Sequence, residues 1–182
     1  MRPIPSKQEI EEKLSQSGDY VKLDYLQRLL KSGIDFDTRK FVLTKLAHIY
    51  EDKGMYMEAA KMVKNAAEIN STFRGKLEDY MKAVELLIRG NCFDDADVIF
   101  SQALALSNER QKLEAKETLK NYYFAHAENM LRKDKRTQAK KTYEKMMKLG
   151  LDTHEEERVR KELMNLYQKL GNVREYMKMS KS

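Results

Sequence analysis

The chain has 182 residues, a formal net charge of +6, 41% hydrophobic and 35% charged residues, seven Gly, two Pro, one Cys and no Trp. That length fits one domain or one short array, and the apolar share excludes a disordered chain. The lone Cys92 excludes an internal disulfide and any CxxC metal or redox site, and no apolar run approaches the ~20 residues that span a bilayer.

Taken from the start, MRPIPSKQEI contains no apolar h-region, so no secretory leader is expected and the expected location is cytoplasmic. Pro3 and Pro5 precede the first periodic segment, and nothing after position 5 carries a proline to break a helix. Ser6 and Glu9 have capping-box spacing. From there apolar residues recur at helical intervals. Phe41, Val42, Leu46, Ile49 and Tyr50 form one stripe, interrupted by Lys45. Phe73, Leu77, Tyr80, Met81, Val84, Leu87 and Ile88 form another. No segment alternates with period two for long enough to suggest a strand. Turn signals fall at Ser17-Gly18-Asp19, Ser32-Gly33, Lys53-Gly54, Gly90-Asn91, Lys133-Asp134, Leu149-Gly150 and Leu170-Gly171. They predict helical hairpins over 6–32, 37–70, 72–106, 108–149 and 153–180. Thr153 and Glu156 read as a second capping box, and the acidic run 155–157 suits a helix N-terminus.

The breaks are themselves periodic. Gly18, Gly54, Asn91, Asp134 and Gly171 are separated by 36, 37, 43 and 37 residues, within the range of helical-hairpin repeats. The segment from Leu29 also matches the segment from Met146 at a constant offset of 117. Gly33 pairs with Gly150, Asp35 with Asp152, Val42 with Val159, Leu46 with Leu163, Tyr50 with Tyr167 and Gly54 with Gly171.

In residues 41–71, Leu46, Ala47, Tyr50, Gly54, Tyr56, Ala59, Val63 and Ala66 occupy small and aromatic packing positions; with these the segment resembles a tetratricopeptide repeat. Phe93, Ala96, Phe100 and Ala103 give a second match, and Ala127, Ala139 and Tyr143 a third. Asn91 and Asp134 stand where the family has a turn glycine, Arg136 replaces an aromatic, Tyr176 replaces a small residue, and the unit beginning near Ala103 is longer by about six residues. The resemblance implies an all-α fold: one domain over 1–182, a right-handed α-α superhelix of about five hairpins and about ten helices. It further implies a non-enzymatic protein-interaction scaffold that takes a peptide or helix in a concave groove lined by the first helix of each hairpin. Carried onto this chain, the groove residues would be Phe41, Thr44, His48, Met81, Glu85, Phe124, Glu128, Arg132 and Asn165. The Lys/Asn/Arg pattern with which some relatives clamp a chaperone C-terminus does not recur here.

Charge is unevenly spread. Residues 131–148 hold Arg132, Lys133, Lys135, Arg136, Lys140, Lys141, Lys145 and Lys148 against only Asp134 and Glu144, so the rest of the chain sums to about zero. This basic patch reads either as a solvated helix face or as an anion site, with Tyr122, Tyr123 and Tyr143 near enough to stack on bases. Glu144–Asp152 and Gln168–Glu175 also resemble a pentatricopeptide unit, which implies single-stranded RNA as an alternative ligand of that segment.

No phosphate loop, nucleophile elbow or Cys/His constellation appears, so no catalytic residue, metal or cofactor is expected. His48, His126 and His154 fall in different hairpins without a second ligand at metal spacing. The final KMSKS, residues 178–182, matches a synthetase signature loop but lacks its HIGH partner and its parallel sheet. The expected partner is a protein or peptide, with nucleic acid second and no membrane; self-association is left open.

Overall fold

The computed structural model describes residues 5–181, so part of the leader region and Ser182 of the KMSKS stretch lie outside the described residues. Among the described residues the chain is all-α, with ten helices and no strand. It divides into two compact units, Met1–Asn108 and Glu109–Ser182. The first contains α1 (Lys7–Ser15), α2 (Asp19–Lys31), α3 (Phe36–Asp52), α4 (Tyr56–Glu68), α5 (Phe73–Arg89) and α6 (Phe93–Ala105). The second contains α7 (Glu109–Arg132), α8 (Arg136–Met146), α9 (Thr153–Lys169) and α10 (Val173–Ser180). Within each unit, helices pack on their sequence neighbours: α2 through α6 in the first, α7 through α10 in the second.

In the first unit α3 shows how the pattern becomes structure. Asp35 caps its start by accepting a hydrogen bond from the Thr38 amide at 2.9 Å. Val42, Leu43, Leu46, Ala47 and Tyr50 then return every three or four residues and are all buried. Each large apolar side chain removed from water in this way contributes ~1.5–3 kcal/mol before entropy is charged against it. On α4 the facing positions are Ala59, Ala60, Ala66 and Ala67, all buried and small enough to let neighbouring helices approach. Ala96 and Ala103 do the same on α6, and Ala139 on α8 of the second unit.

Four of the five turns inside hairpins share one closure. Gly54, Asn91, Asp134 and Gly171 have φ of 71°, 59°, 52° and 69°. The following amides, Met55, Cys92, Lys135 and Asn172, donate to the carbonyls of Tyr50, Leu87, Met130 and Tyr167 at 2.8–2.9 Å. This is the Schellman arrangement, in which one left-handed residue satisfies the last helical carbonyls. Asn and Asp substitute for Gly because they tolerate that region better than other side chains. Gly18 departs from its alignment with Gly54. Its φ is −72° and ψ 159°, so it is the extended N-cap of α2, one position later in the turn.

Three further expectations change. The capping box of α9 is Asp152 with Glu155, because the Asp152 carboxylate reaches the Glu155 amide at 2.8 Å and Thr153 is already helical. Phe73 leaves the apolar stripe: as the first residue of α5 it projects beyond its packed neighbours and is 75% exposed. The extra length near Ala103 is taken up by α7, a continuous 24-residue helix where α3, α5 and α9 have 17.

Candidate functional site

The expected groove residues lie on first helices, in two groups. In the first unit Phe41, Thr44 and His48 occupy one face of α3, and Met81 and Glu85 sit on α5. In the second, Phe124, Glu128 and Arg132 follow one face of α7, and Asn165 is on α9. Their surroundings sort them further. Lys7 and Lys45 hold their ammonium groups 5.9 and 5.1 Å from the centre of the Phe41 ring. Arg158 covers Phe124 in the same way at 4.7 Å and also pairs with Glu128. Both rings are thus engaged by cations, Phe41 from α1 and from its own helix and Phe124 from α9. Met81 is buried, 8% exposed. Thr44, His48, Arg132 and Asn165 are exposed.

Glu85 belongs to a charge cluster that ties α3, α4 and α5. Lys82 reaches Glu51 at 3.3 Å and Glu85 at 3.1 Å, Arg89 pairs with Glu51, and the Arg89 guanidinium lies 4.6 Å from the Tyr56 ring centre. Burial works against the Glu51 carboxylate, but the Arg89 and Lys82 contacts outweigh it and hold the group below the usual carboxylate range. In the second unit, Lys120 on α7 plays the comparable part. It contacts Glu117 and Glu155 at 2.8 Å, and Glu155 also accepts from the Asp152 amide at 2.9 Å, so this ion pair fixes the start of α9.

His48 opens onto a recess of about 320 Å³ between α1, α2 and α3. Leu14 and Ile49 supply its apolar surface; Glu11, Ser15, Lys22, Lys45 and His48 supply the polar surface. Lys45 is tied to Glu11 at 2.7 Å across it. A second cleft, of about 380 Å³, involves α4, α5 and α6 and escaped the sequence reading. Met57, Ala60 and Lys61 face Leu87, Val98 and Ile99 there. The available signal was Met57 and Val98, apolar residues on the outer side of second helices, both exposed.

The basic segment lies in the second unit, over the end of α7, the turn and α8. Arg136 is neutralised by Asp134 at 2.8 Å, and Lys140 donates to Asn172 Oδ1 at 3.3 Å. Arg132, Lys133, Lys135, Lys141 and Lys148 are exposed with no acidic partner among the described residues. Of the tyrosines nearby, Tyr123 and Tyr143 are fully buried and Tyr122 is half-buried. Burial, with Glu162 and Glu128 adding to it against Arg158, pushes the Tyr143 hydroxyl up to about 12.

His126 is buried on α7, while His154 is exposed on α9. Among the described residues no group of three or more His, Cys, Asp or Glu is arranged to hold a metal ion, and no helix is long and apolar enough to cross a membrane. The Cys92 thiol donates to the Gly90 carbonyl at 3.5 Å, and burial, then Asp95 and Glu58, push its pKa up, away from the reactive thiolate. Residues 178–180 of the KMSKS stretch continue α10 as helix. Comparison with known proteins finds no family model that matches the chain and no curated protein that matches it significantly.

Proposed function

We propose that the chain is a non-catalytic protein-interaction module built from tetratricopeptide-like hairpins, located in the cytoplasm, and that its primary site is the His48 recess of the first unit. The carrying observation is the recess itself, with an apolar floor at Leu14 and Ile49, and a rim of opposite charges at Glu11, Lys22 and Lys45. Its volume sits at the low end of the ~300–1,000 Å³ typical of ligand pockets, which suits one anchoring side chain of a peptide whose backbone continues over the rim. The exposed His48 ring adds a hydrogen-bonding group at the mouth. Phe41, covered by Lys7 and Lys45, serves to hold the rim Lys45 in place.

The experiment is a tagged full-length pull-down from cell lysate with and without nuclease, run beside the variant His48→Ala/Ile49→Ala. Defined protein partners that survive nuclease and are lost from the variant are the expected result. Recovery that collapses with nuclease, with RNA as the lost material, would replace this reading by a nucleic-acid one, which draws its support from the charge of residues 131–148.

A further inference from the structure

The internal repeat turns the basic patch into a controlled comparison. At the offset of 117, α2 and α3 start at Asp19 and Phe36 where α8 and α9 start at Arg136 and Thr153, and α1 ends at Ser15 where α7 ends at Arg132. The same aligned positions therefore exist twice, although the turn between the helices closes differently, with Gly18 as an extended N-cap in the first unit and Asp134 at φ 52° in the second. In the first unit they carry Ser15, Gln16, Gly18 and Asp24; in the second they carry Arg132, Lys133, Lys135 and Lys141. Residues 15–31 hold three basic and two acidic side chains, a formal +1; residues 132–148 hold eight and two, a formal +6. The acidic side chains of the first unit are spent locally, Asp19 on Lys53 at 2.9 Å and Asp24 on Arg28 at 2.9 Å. Packing of this module does not require the cations of the second unit, since its counterpart folds without them. Like charges so close together also repel.

We infer that the α7–α8 edge of the second unit is a docking surface for an acidic helical segment of a partner protein, separate from the recess of the first unit. Arg132, Lys133 and Lys135 stand at one end of α8, Lys141 lies along its outer side and Lys148 lies just past its other end. The 11 residues of α8 span roughly 16 Å at 1.5 Å per residue, a strip that carboxylates on three successive turns of an apposed helix would match. Single-stranded nucleic acid calls for exposed aromatic platforms beside the cations; Tyr123 and Tyr143 are buried in the core and Tyr122 is half-buried, so no ring of the three is fully exposed. Four of these five free cations are lysines, point charges on long flexible stems that can follow carboxylates spaced from turn to turn without a fixed geometry.

The test uses the full chain and a fluorescein-labelled helical peptide carrying Glu on three successive turns, with a Gln-substituted peptide and an oligouridylate of equal charge as competing probes. The Glu peptide is expected to bind in fluorescence anisotropy, more weakly at about 200 mM than at about 50 mM salt, and the Gln peptide not at all. Replacing the cations by the first unit's residues, as R132S/K133Q/K141D, is expected to lower affinity about tenfold or more. Lys141→Gln alone, on an exposed helix side, should lower it about two- to threefold and guards against a folding defect in the triple variant. Absence of Glu-peptide binding, unchanged affinity in both variants, or tighter binding of the oligouridylate than of the Glu peptide at equal salt would each overturn the inference.

Discussion

Two stretches of this molecule, 15–54 in the first unit and 132–171 in the second, share one helical frame under different surfaces, although the turns at Gly18 and Asp134 close differently. Val42 and Val159, Leu46 and Leu163, and Tyr50 and Tyr167 are buried in both. Asp35 and Asp152 cap equivalent helices, and Gly54 and Gly171 close equivalent turns at φ 71° and 69°. The correspondence reaches one level further, to a contact between helices. Gln27 donates to the Tyr50 hydroxyl at 2.8 Å, and the Tyr167 hydroxyl donates to Glu144 at 3.0 Å; Gln27 and Glu144 are themselves 117 apart. A tyrosine can play either part, so the contact survives a change from amide to carboxylate. Outside these shared positions the two diverge freely, most of all in charge. Packing fixes one set of residues and leaves the rest free to vary.

The sharpest way to break this equivalence is in the core. Leu46→Ala and Leu163→Ala should each cost ~2–5 kcal/mol in urea unfolding, since both side chains are fully buried and truncation leaves a void in the packing. A large loss at one and almost none at the other would show that the two stretches are not the same module.

The pH dependence should separate them. Burial, followed by the Glu144 contact, pushes the Tyr167 hydroxyl up to about 12, and Tyr143 rises to about 12 as well, from an ordinary value of 10.0. Their neutral forms are favoured in the folded state, so this stability is complete below pH about 10 and is lost as pH rises toward about 12. Glu51 is depressed, so its contribution is present above the ordinary carboxylate range and disappears as pH falls through its lowered pKa. Hydrogen exchange followed by segment should show the second unit loosening first in alkali and α3–α5 in acid. Tyr167→Phe should narrow the alkaline difference.

Turn chemistry gives the smallest effect. Gly54→Ala and Gly171→Ala place a side chain in the left-handed region and should cost ~1 kcal/mol each. Asp134→Gly and Asn91→Gly should be neutral or stabilising by up to ~1 kcal/mol, because those residues already sit at positive φ. The expected reading is a lower thermal midpoint for the first pair and an unchanged or higher one for the second.

Much of this was legible in the sequence because helices and turns are local. The stripe through Val42, Leu46 and Tyr50 and the turns at Gly54 and Gly171 need only neighbours within a few residues. Gly18 misled because glycine serves equally as a left-handed C′ residue or an extended N-cap, and the Ser17-Gly18-Asp19 signal fits both. Thr153 misled because Asp152 beside it is an equally good cap and lies one residue earlier. The proposed binding surface was harder to read. Phe41 and Phe124 lie on first helices, but the cations that cover them come from residues about 34 positions away or from another turn of helix, and no single-helix pattern reveals them. The recess at His48 draws on three helices and the cleft at Met57 on three others, so both arise only from packing.

The claim that shared positions carry the fold and divergent ones are free for binding is tested most directly by urea and thermal unfolding of R132S/K133Q/K141D. The account predicts wild-type far-UV circular dichroism and an unfolding free energy within ~0.5 kcal/mol of the parent, with any change toward greater stability as like-charge repulsion falls. Loss of helical signal, or destabilisation by ~2 kcal/mol or more, would place these cations in the service of the fold and contradict it.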